Sequence, residues 1–339
     1  MPRSHPMSPP ARHAAVTAAA LTVAVLASGC GAAAGSSSGK DGGHKAVNHS
    51  AKINDNVCGK GSRTIKHDLG STTVKGHPKR ILTLEYSFTD ALVNSGIKPV
   101  GIADDDKPER ILKPLRDAVG HYTSVGLRQS PNLQVIKSLK PDLIIADSQR
   151  HSALYQQLTK IAPTVAFASR DADYQQILDT EKLIGQAVDE CSRMSAALKK
   201  HAEFMAGLKA KVTAGDKRRI LFAITFDKGV NGQTQHGFAP SVLHHLGLST
   251  EPTTKGRDAA LGMTLETMVT TKPDVMFLAP QTPNVLTDQW KSSTLWKRIP
   301  AVEHNAVYTV DSDVWSTSRG TLAAEMIAGE AVKKLFGTS

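Results

Sequence analysis

The chain has 339 residues, 41 Lys and Arg against 31 Asp and Glu, and a formal charge of +10. At about 150 residues per domain this length holds roughly two domains, and 40% hydrophobic with 21% charged residues excludes whole-chain disorder. No apolar run reaches the ~20 residues that span a bilayer, three cysteines cannot build a disulfide scaffold, and the basic balance leaves nucleic acid, an anionic membrane surface or an anionic small ligand as partners.

The first thirty residues read as an address. Arg3 and Arg12 make a positive n-region, residues 14–27 are uncharged and too short to span, and Leu26-Ala27-Ser28-Gly29-Cys30 ends the stretch with small residues before a cysteine. This is an export signal, and its end resembles the bacterial lipobox. Residues 1–30 are therefore expected to be a lipoprotein signal peptide ending at lipidated Cys30, with the protein anchored on the extracytoplasmic face of the cell membrane. Residues 31–62 read as a flexible tether: twelve of them are Gly or Ser, and Val47, Ile53 and Val57 are the only large aliphatics. Such a segment buries too little apolar surface to offset its ordering entropy. Export also argues against nucleic acid as partner. It permits a disulfide between Cys58 and Cys191, which no spacing requires.

The body opens at residue 63. In a first lobe, 63–175, apolar runs at 80–84, 99–103, 142–147 and 164–169 read as strands, with helices near 89–95, 132–139 and 148–161. This alternation predicts a mainly parallel sheet covered by helices. In the helical segment 176–216, Ile184, Ala187, Cys191, Met194, Leu198, Met205 and Leu208 recur at three-to-four spacing, the mark of an amphipathic helix. A break is expected near Asp189, leaving 190–213 as a strut between lobes and predicting a modest closure motion. The second lobe, 217–339, has strands near 219–226, 274–279 and 306–310, and helices near 239–246, 264–271, 286–298 and 320–335.

The lobes echo each other. Leu133 to Ile145, with Lys140-Pro141-Asp142, overlays Leu265 to Phe277, with Lys272-Pro273-Asp274, at a constant offset of 132 residues. A second echo precedes each copy, Arg80-Ile81-Leu82 and Arg219-Ile220-Leu221. Two echoes in one order indicate duplicated α/β lobes.

Ligands of open α/β sheets bind beyond the carboxyl ends of the strands. In the first lobe those positions hold Glu85-Tyr86-Ser87-Phe88, the Gly126-Leu127-Arg128-Gln129 loop, Ser148-Gln149-Arg150-His151, and Arg170. In the second lobe, Asp313 to Gly320 brings Arg319 to a helix start. Arg128, Arg150 and Arg170 thus fall on one predicted edge, and Arg319 adds a fourth, in a loop expected to face the same cleft. A guanidinium presents a planar fork that matches carboxylates, and each charge-assisted bond contributes about 1.5–3 kcal/mol where water is excluded. The other constellations are weaker. His236, His244, His245 and His304 lack metal-ligand spacing, there is no G-x-S-x-G elbow, Gly229 to Gly232 lacks the ending of a phosphate loop, and Asp104-Asp105-Asp106 reads as a solvated turn. Nothing singles out a catalytic step.

Arg80 to Leu92, Val125 to Leu133, Leu139 to His151, and Trp315 with Ser318-Arg319-Gly320 resemble the iron(III)-dicitrate-binding lipoproteins of ABC importers, within the class III substrate-binding proteins for siderophores and cobalamin. The resemblance covers about residues 63–335. It implies two α/β lobes with mainly parallel sheets joined by a long inter-lobe α-helix. It also implies a monomer without enzymatic turnover, no cofactor, and no metal ligated by protein side chains, since iron arrives inside the bound chelate. The implied ligand is ferric citrate or a related ferric siderophore, held by the four arginines with Tyr86 and Trp315 as walls. The implied partners are ABC permease subunits, met in this family by one exposed Glu per lobe on the repeated helix; here the two positions are Gln134 and Glu266. Alternatives are a receptor for a hydroxamate or catecholate siderophore or cobalamin, and, in another class, a surface metal-binding protein or metalloenzyme. With 35 basic and 29 acidic residues, the body keeps +6 of the charge.

Overall fold

The first strands follow from side-chain alternation. β1 (Ser62–His67) turns Arg63, Ile65 and His67 inward and pairs antiparallel with β2 (Gly70–Lys75). The computed structural model describes residues 57–337; the signal segment, Cys30 and tether residues 31–56 lie outside them. Cys58, within the stretch read as tether, forms a disulfide with Cys191. The end of that stretch is therefore fastened to the body. The β1–β2 hairpin has no counterpart in the sequence reading, because an arginine and a histidine occupy two of its inward positions. Arg63 is 2% exposed and donates to the carbonyls of Lys60, Gly76 and Ala187.

The next elements are β3 (Ile81–Thr83), α1 (Tyr86–Asn94), β4 (Gly101–Ile102), α2 (Lys113–Val119), β5 (Thr123–Ser124), α3 (Leu133–Ser138), β6 (Leu143–Asp147), α4 (Tyr155–Thr159) and β7 (Thr164–Phe167). Their strands form an all-parallel sheet in the order β5-β4-β3-β6-β7. β3, β6 and β7 are buried at every residue, which is why they read as continuous apolar runs rather than alternating ones. The helix expected over 148–161 is confined to α4. Ahead of it, the Asp147 carboxylate accepts the amides of Gln149 and Arg150 and so holds the chain in a turn.

α5 (Tyr174–Ala187) and α6 (Cys191–Lys209) follow, with Asp189 between them at φ +66°. α5 begins against lobe-two residues, Tyr174 N–H donating to Ser241 Oγ, and ends with Ile184 and Ala187 in the first-lobe core. α6 runs the opposite way, from Met194 in that core to Met205 in a cluster shared with the second lobe. Its 19 residues span about 28 Å. The long inter-lobe helix thus has an antiparallel companion.

The second lobe comprises β8 (Arg219–Thr225), β9 (Val230–Gln233), α7 (Phe238–His245), β10 (Ser249–Glu251), β11 (Ala260–Gly262), α8 (Leu265–Thr271), β12 (Val275–Pro280), α9 (Leu286–Trp290), α10 (Pro300–Glu303), β13 (Val307–Thr309) and α11 (Thr321–Phe336). β8, β12 and β13 are parallel, β10 pairs parallel with β8, and β9 and β11 extend the sheet antiparallel. Residues 229–232, excluded as a phosphate loop, enter β9. The helix expected over 286–298 is broken into α9 and a 3-10 turn at Trp296–Arg298, with Ser293 Oγ accepting the Leu295 amide between them.

The two sequence echoes are halves of one structural device. Lys140 and Lys272 take left-handed φ values of 45° and 49° and end their helices. The aspartate two residues on then accepts the amide of the arginine that opens the neighbouring strand: Arg80 N–H to Asp142 at 2.9 Å, and Arg219 N–H to Asp274 at 2.8 Å. β3 pairs with β6 and β8 with β12 accordingly.

The largest apolar cluster crosses between the lobes, joining Tyr86, Ile102 and Leu115 to Phe222, Phe277, Trp315 and Ile327. A buried polar joint lies beside it. The first amides of α11 are accepted by Glu181 of α5 (from Thr321, 3.0 Å) and Asp90 of α1 (from Leu322, 3.0 Å). Burial pushes the Asp90 carboxyl up to about 7 and holds Glu181 well above the carboxylate range. Gly320, at φ +111°, precedes α11, and a Cβ there would collide with the Asp90 carboxylate. This joint sets where Arg319 stands.

Candidate ligand-binding site

Glu85 follows β3 at the N-cap of α1, yet its side chain does not cap that helix. It is 1% exposed and turns toward arginines from three other segments. Arg128, after β5, donates through Nη1 to Glu85 Oε2 at 3.3 Å. Arg150, after β6, brings Nε to 2.6 Å from Glu85 Oε1. At that distance the two atoms are each other's partner in a close ion pair. Arg319, half-buried and arriving from the second lobe, faces the same carboxylate. Burial raises the Glu85 carboxyl to about 7, against the opposing pull of Arg128, Arg150 and Arg319. Burial likewise lowers Arg319 to about 10, an effect that Glu85 offsets and the neighbouring arginines reinforce. Buried polar atoms are normally paired; the Nε of Arg319 is buried here without a hydrogen bond.

The cluster is held by a second set of carboxylates. Asp105 accepts Arg128 N–H at 2.8 Å, Nε at 2.9 Å and Nη2 at 2.7 Å. Although burial opposes it, these bonds keep the Asp105 carboxyl below its ordinary range. Asp147, fully buried at the end of β6, accepts four amides, those of Gln149, Arg150, Ser169 and Arg170, and so ties together the loops after β6 and β7. His151 joins the Arg150 and Arg128 loops: its Nδ1 accepts the Asp147 amide and its Nε2–H donates to the Arg128 carbonyl at 2.7 Å. Burial lowers its pKa, in keeping with a neutral ring of that tautomer. Arg110 crosses to the second lobe, donating to Asp313 Oδ1 at 3.0 Å and Thr317 Oγ1 at 2.8 Å, while Nη1 meets Asp105 at 3.3 Å.

Of the residues singled out from sequence, Arg128, Arg150 and Arg319 come together. Arg170 contributes its amide to Asp147, but its side chain is 56% exposed beside Asp171. Two placements differ from expectation. Tyr86 is no cleft wall: it is 1% exposed, donates to the Asp104 carbonyl, and lies beneath Arg128, whose guanidinium sits 4.2 Å from the ring centroid. Trp315 is 2% exposed in the second-lobe core, 4.7 Å from Phe277, with its Nε1–H donating to Glu330. Both aromatics bury more apolar surface inward than a polar cleft offers. Asp104 to Asp106 is also no solvated turn, since Asp104 is buried and accepts from Tyr122 and Ser124. Gln134 and Glu266 are exposed at matching second positions of α3 and α8. Among the described residues, no group of three or more His, Cys, Asp or Glu is placed to hold a metal ion. The sequence reading placed Glu85 and His151 on this edge without giving either a role, and it missed Asp105, Arg110 and Asp147 as site components. The available signal was that acidic residues follow β3, β4 and β6 at the strand ends where the arginines were expected.

A family model described as "Periplasmic binding protein" matches residues 81–314. The Fe(3+)-citrate-binding protein YfmC of Bacillus subtilis is 38% identical over 291 residues, covering 85% of this chain and 91% of that protein. The Fe(3+) dicitrate-binding periplasmic protein FecB of Escherichia coli is 36% identical over 270 residues, covering 80% and 89%. Among solved structures, Staphylococcus aureus SirA complexed with staphyloferrin B superposes with a TM-score of 0.70 at 27% identity, covering 80% of this chain and 98% of that one.

Proposed function

The chain belongs to the periplasmic binding protein family, and from that premise we propose that it captures ferric citrate and delivers it to the permease of an ABC importer. The carrying observation is that Arg128, Arg150 and Arg319, drawn from both lobes, surround one buried carboxylate, with the buried Nε of Arg319 lacking a hydrogen bond. Ferric citrate presents several carboxylates around the metal, and guanidinium forks meet carboxylates well. Because the arginines come from separate loops and both lobes, a ligand bridging them favours the closed arrangement. Iron travels inside its chelate as cargo, so no side chain needs to ligate it, no cofactor is required, and capture involves no turnover. The likeness to YfmC and FecB supports this ligand; the likeness to SirA supports a second, another ferric siderophore in the same cleft. Anchoring through lipidated Cys30, action as a monomer, and docking through Glu266 and Gln134 complete the proposal.

Calorimetry of the purified protein with ferric citrate, ferrioxamine and a ferric catecholate tests it. Ferric citrate is expected to bind, and Arg150→Ala and Arg319→Ala are each expected to weaken it at least tenfold, the loss of one charge-assisted bond of about 1.5–3 kcal/mol. Silence with ferric citrate, or unchanged affinity in both variants, refutes the reading.

A further inference from the structure

We propose that Glu85 is the internal counter-ion of the arginine cluster and takes up a proton from solvent when the carboxylates of an anionic ferric complex displace it from Arg150. This role rests on the ligand class proposed above. A binding site for an anion has no evident use for a buried carboxylate at its centre, unless that carboxylate serves the unliganded state. In that state three guanidinium groups face one another across the cleft, and like charges at such range repel. Glu85 relieves this, with Oε2 on Arg128 and Oε1 beside Arg150. It is not anchored as Asp147 is: Asp147 receives four backbone amides, whereas Glu85 is met only by guanidinium groups, Oε2 by Arg128 Nη1 at 3.3 Å and Oε1 by Arg150 Nε at 2.6 Å. Its charge is therefore held by the arginines alone.

The groups facing Glu85 can be named element by element. Arg128 comes from the loop after β5, Arg150 and Asp147 from the end of β6 and the turn beyond it, and Arg319 from the approach to α11. Asp105, after β4, occupies the opposite side of Arg128, and His151 is held neutral between two backbone groups. An incoming carboxylate takes over Arg150 and Arg319 and places its own negative charge beside Glu85. Burial already sets the Glu85 carboxyl at about 7, so little further repulsion is needed to protonate it at neutral pH. Before binding, about half of the molecules hold this proton at pH 7 and about a tenth at pH 8. After binding nearly all do. Net uptake is then about half a proton at pH 7 and close to one at pH 8, and above pH 7 affinity falls by up to about tenfold per pH unit.

Calorimetry with ferric citrate in two buffers of unlike ionisation heat, at pH 7 and pH 8, counts the protons. Uptake that grows from pH 7 to pH 8 in the wild type and disappears in Glu85→Gln supports the role. Binding with no uptake, or with the same uptake in Glu85→Gln, overturns it while leaving the ligand assignment standing. Failure of ferric citrate to bind the wild type overturns both. If Glu85→Gln does not fold, carbon-13 NMR of the wild-type glutamate carboxyls decides instead. One signal titrating near pH 7 in the free protein and fixed in its protonated position in the complex is expected, and its absence overturns the role.

Discussion

Arg110 is the side chain whose removal most directly tests how the lobes are held at the cleft. Its guanidinium leaves the first lobe and donates to Asp313 at 3.0 Å and Thr317 at 2.8 Å in the second. Two opposite charges at 4 Å attract by about 4 kcal/mol at an effective dielectric constant of 20. With Arg110 25% and Asp313 33% exposed, solvent screening and the entropy of ordering two side chains reduce the net value to about 1 kcal/mol. The third contact, to Asp105, complicates the single variant, because Arg110→Ala also strips a partner from a carboxylate that Arg128 continues to hold. A double-mutant cycle with Arg110→Ala, Asp313→Ala and the pair isolates the inter-lobe leg. Urea unfolding followed by fluorescence is expected to give a coupling of about 0.5–1.5 kcal/mol, falling as salt is raised. A coupling indistinguishable from zero at low salt means that the contact contributes nothing to holding the lobes, and the reasoning fails.

Two further outcomes concern stability. Burial in the joint at the start of α11 pushes the Asp90 carboxyl up from its unfolded range toward about 7, so the folded state binds an extra proton in that window. Stability is therefore greatest at the acid end of that window and declines by up to about 1.4 kcal/mol per pH unit as pH rises through it. Asp90→Asn, which keeps an acceptor for the Leu322 amide, should make this slope shallower, leaving the part that Glu181 contributes, and raise the urea midpoint at pH 8 relative to the wild type; an unchanged slope refutes the assignment. Reducing Cys58–Cys191, or replacing Cys58 by Ser, opens a loop spanning 133 residues and is expected to cost roughly 2–5 kcal/mol, read as a lower melting temperature under otherwise identical conditions.

The fold was legible where apolar residues do one job. β3, β6, β8 and β12 are buried runs that the sequence displays openly, and the paired Lys-Pro-Asp turns mark the duplication because the same backbone geometry is needed twice. The reading failed where polar residues are buried in pairs. Arg63 and His67 conceal the inward face of β1, so the hairpin lacks an alternating apolar signature. The site shows the same division. A rule about strand ends located Arg128 and Arg150, because topology delivers the loops after parallel strands to one edge. It did not reveal that Glu85 and Asp105 would occupy those arginines, because ion pairing is decided by side-chain direction over a few ångströms. Tyr86 and Trp315 went astray for a related reason: an aromatic next to a polar loop belongs to whichever side buries it better, and sequence adjacency does not say which.

These placements bear on how ligand capture is transmitted. A receptor whose lobes met only through a flexible linker would signal occupancy by swinging shut. Here the apolar cluster runs without interruption from Tyr86 and Ile102 to Phe222 and Trp315, and α5 and α6 both bridge it. Opening the lobes widely would expose that cluster to water at about 25 cal/mol per Å² of apolar surface, and would also break the Asp90 and Glu181 bonds to α11. Large swings are thus disfavoured by the same contacts that position Arg319. What remains free to change is the pairing of charge within the cleft. Glu85 is paired only with arginine side chains, while the backbone amides of Arg128, Arg150 and Arg170 are tied to Asp105 or Asp147. On the ligand reading proposed above, a modest closure of the lobes is accompanied by an exchange of partners, from an internal carboxylate to those of the ligand, with Arg319 joining from the second lobe.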